Sequence, residues 1–266
     1  MASIKLLVEL KKRHTREDNP SSRERESAAA LVTGGGVRVG RAICERIARD
    51  FERIAVHFND SEEPAREVAT NLEAAGVEAR IFKADLSMPG SAARLAAETL
   101  EWSGGLDLLV NNAATFIPDD GKLTDLARMK AINYDSAASL LNECTEALAG
   151  SGGAIVNIAD VAGFEAFKGF RAYSSTKRAL LSLTMRKALE LAPRGVRVNA
   201  VCPGAVMWPE WYDDDRKQRV LEGIPMGIEG SPGDIADAVA YLASAQFVTG
   251  QALCVDGGRM LVIDQS

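Results

Sequence analysis

Histidine is almost absent from this chain of 266 residues: there are two, His14 and His57. Cysteine is scarce as well. The four cysteines, Cys44, Cys144, Cys202 and Cys254, stand more than 50 residues apart, with no C-x-x-C pair. Neither histidine lies near a cysteine in sequence, so no metal site is expected. Isolated cysteines read as free thiols in a reducing compartment, and a cytoplasmic location follows as the expectation. No window approaches the ~18–20 consecutive apolar residues that cross a bilayer. Positive charge is not in excess either. Lys and Arg number 31 against 37 Asp and Glu, giving a formal net charge of −6 and a pI near 5.2. That balance offers nothing to nucleic acid or to anionic lipid, so neither is expected as a partner. What is present is a chain 47% hydrophobic and 26% charged, long enough to bury a large core. Disordered, collagen-like and disulfide-stapled classes are excluded.

Residues 1–27 differ from the rest. A short apolar stretch, 4–10, precedes a polar, charged run with Pro20 in its middle. Its acidic residues argue against a transit peptide, and the apolar stretch is too short for a secretory signal. It reads as a flexible N-terminal arm, and residues 28–266 read as one domain. Strands are expected at 28–33, 53–58, 78–83, 106–110, 153–158, 196–201 and 251–255. Helices are expected at 38–50, 62–75, 91–102, 122–149, 171–192 and 232–244. Strands alternating with helices of this length make βαβ units: an α/β fold with a parallel sheet covered on both faces. The one long connection, 203–231, is a candidate lid over a substrate site.

The first strand runs into Thr33-Gly34-Gly35-Gly36-Val37-Arg38-Val39-Gly40. Glycines at a strand–helix turn let backbone N–H groups approach a pyrophosphate at the helix N-terminus. At the end of the second strand, an acidic residue would favour NAD and a nearby cation would favour NADP. Arg38 and His57 point to NADP(H); Asp60 points the other way. NADP(H) is the favoured cofactor.

Tyr173-Ser174-Ser175-Thr176-Lys177 opens a helix and puts a phenol and an ammonium group on one face. A free phenol titrates near ~10, and a neighbouring cation would bring it toward neutrality. Asp160 follows the fifth strand, Asn111-Asn112-Ala113-Ala114 follows the fourth, and Asn133 lies between them in sequence. Gly34, Asn111 and Asp160 therefore fall at the carboxyl edge of the sheet, where ligands of such folds bind.

With Asp85-Leu86, Pro203-Gly204 and Val255-Asp256-Gly257-Gly258 added, residues 28 to about 262 resemble a short-chain dehydrogenase/reductase. The resemblance implies a seven-stranded, doubly wound Rossmann-type sheet, a nicotinamide cofactor, a homotetramer, and hydride transfer to a small molecule. It implies a catalytic set of Asn133, Asp160, Tyr173 and Lys177, with Tyr173 the proton donor and Asn133 supporting a water-linked relay. It implies cofactor contacts from Gly34, Val37, Arg38, Val39, His57, Phe58, Asp85, Leu86, Asn111, Ala113, Tyr173, Lys177, Pro203 and Gly204. Arg38 in the glycine turn, Asp160 where most members carry serine, and 203–210 (PGAVMWPE) are similar to bacterial pteridine reductases. Ala114 and Asp60 depart from that branch. Phe116, Asp160, Tyr173, Val206 and Trp208 are then the expected substrate contacts. A flat pterin would lie between Phe116 and the nicotinamide, covered by segment 205–221. Phe116 as plain core packing, and 205–221 as a subunit contact, are the alternatives. The expected activity is NADPH-dependent reduction of a pterin or dihydrofolate-like substrate. Reduction of another carbonyl, such as a 3-oxoacyl thioester, is the alternative, followed by a non-catalytic nucleotide sensor.

Overall fold

Short apolar runs, buried on both faces, make the sheet. In the computed structural model, which describes residues 27–119, 122–209 and 211–262, the strands are β1 (Ala29–Val32), β2 (Arg53–Phe58), β3 (Glu78–Lys83), β4 (Leu108–Asn111), β5 (Ala154–Ile158), β6 (Arg197–Pro203) and β7 (Ala252–Val255). β1, β4, β5 and β6 are buried throughout, whereas the edge strands β3 and β7 are partly exposed. All neighbours pair in parallel, in the order β3-β2-β1-β4-β5-β6-β7. This is the expected doubly wound Rossmann-type sheet. The expected N-terminal arm lies outside the described residues, apart from its last residue.

Side chains of a strand alternate between faces, and the core divides accordingly. Ala30 and Val32 pack with Ile43 and Ile47 of α1 (Arg38–Ile47), Val68 of α2 (Glu62–Ala74) and Val239 of α9 (Pro232–Ser244). Leu31, on the other face, packs with Leu95 of α3 (Ser91–Ser103), Leu140 of α5 (Ser136–Glu143), Leu148 of α6 (Thr145–Ser151) and Leu191 of α7 (Arg171–Leu191). In α1 the buried positions Gly40, Ile43, Cys44 and Ile47 repeat at helical spacing, which is why this stretch is a helix against the sheet.

Two expectations need correction. The single helix at 122–149 is four pieces: α4 (Leu123–Lys130), a π-helical turn (Ala131–Asp135), α5 and α6. The connection 203–231 is not all loop, because it contains α8 (Asp214–Glu222), capped by the Asp213 carboxylate, which accepts from Arg216 N at 2.8 Å.

Buried Arg197 on β6 ties the sheet to α9. Its guanidinium donates to Leu242 O (2.6 Å) and Ala243 O (2.5 Å), carbonyls of the last helical turn, and to Ala245 O (3.1 Å), which also accepts from Val248 N (3.3 Å). Arg197→Met keeps the aliphatic stem and removes the donor from the first two carbonyls. Urea unfolding should show a loss of about 2–4 kcal/mol; a loss below ~0.5 kcal/mol would show that the cap contributes little.

Candidate active site

The strand order reverses between β1 and β4, and their carboxyl ends open a crevice. A cavity of about 1090 Å³ occupies it. Thr33 bolts its floor: Oγ1 accepts from Asn112 N (2.9 Å) and Ala113 N (3.0 Å), while Asn112 Nδ2 donates to Thr33 O (2.9 Å). Gly34 has φ +63°, and a Cβ there would stand 3.2 Å from Ala113 Cα. At Gly40 a Cβ would fall 2.0 Å from Gly34 O, so only glycine lets α1 start this close to the turn. Val37, Arg38 and Val39 line the wall beside Gly34, and Asp85, Leu86, Ala113, Pro203 and Gly204 also face the cavity. Arg38 sits at φ +53°, unusual for a residue with a Cβ. Ser87 donates to Asp85 Oδ1 from its Oγ (2.6 Å) and its N (2.9 Å), and these bonds hold the Asp85 carboxyl below the usual carboxylate range.

Three expected cofactor contacts are corrected here. His57 lines the cavity, but both ring nitrogens are committed: Nδ1 accepts from Gly34 N (3.0 Å), and Nε2 lies 3.0 Å from Ala84 O. Burial lowers its pKa to about 4, so it is neutral and offers no cation to a phosphate. Instead it pins the glycine turn. Phe58 packs into the core with Val32 and Val56 rather than lining the cavity. Asn111 turns into the sheet: its Nδ2 donates to Asn157 Oδ1 (2.8 Å), and Asn157 Nδ2 donates to Thr184 Oγ1 (2.8 Å).

Beyond β5 the expected proton-transfer residues converge. Asp160 Oδ1 accepts from Ala162 N (2.8 Å), and its Oδ2 accepts from the Tyr173 hydroxyl (2.7 Å). The ammonium of buried Lys177 donates to Ile158 O (2.8 Å) and lies 5.6 Å from the Tyr173 ring centroid. Burial pushes the phenol of Tyr173 well above its usual range, and Asp160 pushes it further. The expected lowering by Lys177 is therefore reversed, first by burial and then by the carboxylate, which bonds the phenol where the ammonium does not. Burial raises Asp160 and lowers Lys177 to about 8, with Asp160 opposing the latter. Asn133, in the π-helical turn, does not line the cavity. Its Oδ1 accepts from Thr115 N (2.8 Å), and its Nδ2 donates to Thr115 O (2.9 Å) and Thr176 Oγ1 (3.2 Å). It thereby fixes the loop that carries Phe116. Asp119 caps α7, accepting from Arg171 N (2.9 Å) and Ala172 N (3.0 Å), and so sets where the Tyr173 helix begins.

Phe116 meets Tyr173 edge-on at 4.7 Å and lies near-parallel to Phe170 at 4.2 Å and to Trp211 at 6.0 Å. Val206, Trp208 and Tyr212 also line the cavity. Plates of this kind suit a flat ligand.

Residues 36–259 match the family model described as enoyl-(acyl carrier protein) reductase. A 3-oxoacyl-[acyl-carrier-protein] reductase of Staphylococcus epidermidis is 34% identical over 246 residues, covering 88% of this chain and 99% of that protein. The chain belongs to the short-chain dehydrogenase/reductase family. A glucose 1-dehydrogenase of Gluconobacter oxydans is 34% identical over 248 residues, covering 88% of this chain and 92% of that protein. Among solved structures, a metagenomic blue fluorescent protein in complex with NADPH superposes with a TM-score of 0.83 at 31% identity, covering 87% of this chain and 97% of that one. These relatives support the family; their names do not point to the pteridine branch.

Asn112, part of the expected motif after β4, closes the turn with its amide, and Trp211, within the expected lid segment, joins the ring stack; sequence reading missed Phe170, which completes it. It also missed Arg216 and Arg219, on a helix it did not expect. Among the described residues no group of histidine, cysteine and carboxylate side chains could hold a metal ion, and no helix is long and apolar enough to cross a membrane.

A pH test follows from the buried cluster. Lys177 loses its proton near pH 8 while Asp160 opposes that loss. If the ammonium form is the active one, kcat falls as pH rises through about 8. Asp160→Asn removes the anion that supports the ammonium, so the basic limb should move to lower pH. An unmoved or alkaline-shifted limb would contradict this coupling.

Proposed function

We propose that the chain is an NADPH-dependent reductase of a flat, conjugated ring of the pterin or dihydrofolate type, with Asn133, Asp160, Tyr173 and Lys177 as its catalytic set. One observation carries the reading: the Tyr173 hydroxyl bonded to Asp160 stands at the edge of the ring stack built on Phe116. The cradle fits a dinucleotide. A Cβ at Gly34 would be strained at φ +63° and tight against Ala113, and the Lys177 ammonium, with Ile158 O its one acceptor among the described residues, has two N–H bonds left for ribose hydroxyls. When bound, the cofactor supplies a hydride. Tyr173, held as a neutral phenol, gives its proton to the ring nitrogen next to the reduced carbon. Lys177 stabilises the phenolate that remains, and Asp160 orients the phenol and relays to it a replacement proton taken up from water. Asn133 acts by fixing Thr115 and Phe116. We read residues 28–266 as one domain that works in the cytoplasm as a homotetramer.

The second reading is reduction of a 3-oxoacyl thioester, and the similarity to the 3-oxoacyl-[acyl-carrier-protein] reductase named above favours it over the first. Asp160 favours the ring, because a carboxylate beside Tyr173 would repel the alkoxide that forms when a ketone is reduced.

NADPH oxidation assayed with dihydrobiopterin, dihydrofolate and an acetoacetyl thioester separates the two. The expected result is turnover of the pterins at least ~10-fold above the thioester, and a loss of at least ~100-fold in Tyr173→Phe. Faster thioester reduction would select the second reading. Turnover unchanged in Tyr173→Phe would remove that residue from the mechanism.

Cofactor choice rests on Arg38. Arg38 and Asn59 line the cavity, whereas Asp60 does not and accepts from Asn59 Nδ2 at 2.8 Å. Arg38→Ala should weaken NADPH binding by about 1.5–3 kcal/mol and NADH binding less, measured by calorimetry. Equal losses would show that Arg38 does not read the 2′-phosphate.

A further inference from the structure

The protein carries a net charge of −6, yet among the described residues the cavity is lined by six cationic side chains and two carboxylates. The carboxylates are already engaged: Asp85 by Ser87, Asp160 by Tyr173. Two of the cations have evident tasks, Arg38 at the glycine turn and Lys177 beneath Tyr173. The remaining four are Lys168, Arg216, Arg219 and Arg259. None forms an ion pair among the described residues.

Arg216 and Arg219 are the ones the local sequence aims. On α8 the cavity-lining positions are Arg216, Arg219 and Val220, spaced as one helical face, followed by Gly223 at its C-cap. The acidic residues Asp213, Asp214, Asp215 and Glu222 do not line the cavity. Asp213 caps the first turn, and Asp214 pairs with Lys217 at 3.2 Å. None of the residues of α8 is buried, so packing does not account for this face.

A row of rings connects this helix to the proton-transfer cluster. Tyr173 meets Phe116, Phe116 faces Trp211 at 6.0 Å, and Trp211 adjoins Tyr212 at 6.4 Å. The Arg216 guanidinium lies over Tyr212, 4.1 Å from its centroid. A head group reduced beside Tyr173 and laid along these rings would carry its tail to Arg216 and Arg219.

We infer that Arg216 and Arg219 clamp an anionic group, a carboxylate or a phosphate, on the tail of the substrate. The inference rests on the reductase reading for its head group and adds a charged tail as the specificity determinant. A guanidinium fork is suited to either anion, since both present paired oxygens. Cations gathered at the mouth of a cavity in an otherwise acidic protein also draw such a ligand in.

The test compares the full-length protein with the double variant Arg216→Gln/Arg219→Gln, both saturated with NADPH. Since α8 buries nothing, the variant is expected to fold. Two substrate pairs share a head group and differ in tail charge. Dihydrofolate is set against 6-methyl-dihydropterin, and acetoacetyl-CoA against acetoacetyl-N-acetylcysteamine. In the wild type the anionic member of the pair that is turned over should show a KM at least ~10-fold lower than its neutral partner. The double variant should bring the two within about twofold. The pair that responds tells a carboxylate tail from a phosphate tail. A preference that is absent in the wild type, or intact in the variant, overturns the clamp. So does a variant that loses affinity for NADPH but not NADH, since the arginines would then read the cofactor.

If neither head group is reduced, the proposed reaction fails and the clamp is decided by calorimetry on the tails alone, 4-aminobenzoylglutamate and 4′-phosphopantetheine. Binding to the wild type that the variant loses supports the clamp. Equal binding, or none to either protein, overturns it.

Discussion

The hydrogen bond from Tyr173 to Asp160 governs the chemistry of this site. Two forces act on the phenol. The Lys177 ammonium, 5.6 Å from its ring, favours ionisation, whereas burial and the bonded carboxylate at 2.7 Å oppose it. Burial is the larger of the two opposing causes, and the carboxylate adds to it because it touches the hydroxyl, while the ammonium bonds Ile158 O. A phenol kept neutral is a proton in store, the state a reductase needs before hydride arrives. A dehydrogenase running the other way would want the phenolate. The same bond bears on substrate class, because an anion fixed beside the donor disfavours an alkoxide product and tolerates a neutral ring nitrogen.

Everything that holds this pair in place belongs to the sheet's switch point. Thr33 and Asn112 lock β1 to β4, and the Asn111–Asn157–Thr184 chain locks β4 to β5 and α7. Asp119 sets the start of α7 and hence the height of Tyr173. Asn133, through Thr115, holds Phe116 against it. The π-helical turn around Asn133 is the local irregularity that presents this amide to Thr115; such turns recur at functional sites. Rigid strands thus position a site whose outer wall, 205–223, is loop and an unburied helix.

The central strands were readable because a strand buried on both faces is an uninterrupted apolar run, and β2 and β3 match their expected bounds. The helices covering the sheet were readable from helical spacing of apolar residues. α8 was not, because it buries nothing and so leaves no apolar stripe; its one signal is Asp213 followed by an acidic first turn. The break at Ala131–Asp135 was hidden because a single π turn barely disturbs the apolar period. Spacing placed Tyr173 and Lys177 on one face, but spacing alone does not report which group bonds the hydroxyl, since Asp160 arrives from another strand. His57 was misread for a related reason. Its neutrality comes from burial, and its ring is held by Gly34 N and Ala84 O, which follow the strands on either side of β2.

The protonation state of Tyr173 tests this account most directly. Carbon-13 labelling at the hydroxyl-bearing ring carbon of the four tyrosines, with Tyr173→Phe to assign the signal, follows the phenol by NMR as pH is raised. The account predicts that Tyr173 in the free protein stays a phenol past the ~10 at which exposed tyrosines ionise, and that Asp160→Asn brings its titration down. A Tyr173 signal already in the phenolate form at neutral pH, or one indifferent to Asp160→Asn, would contradict it.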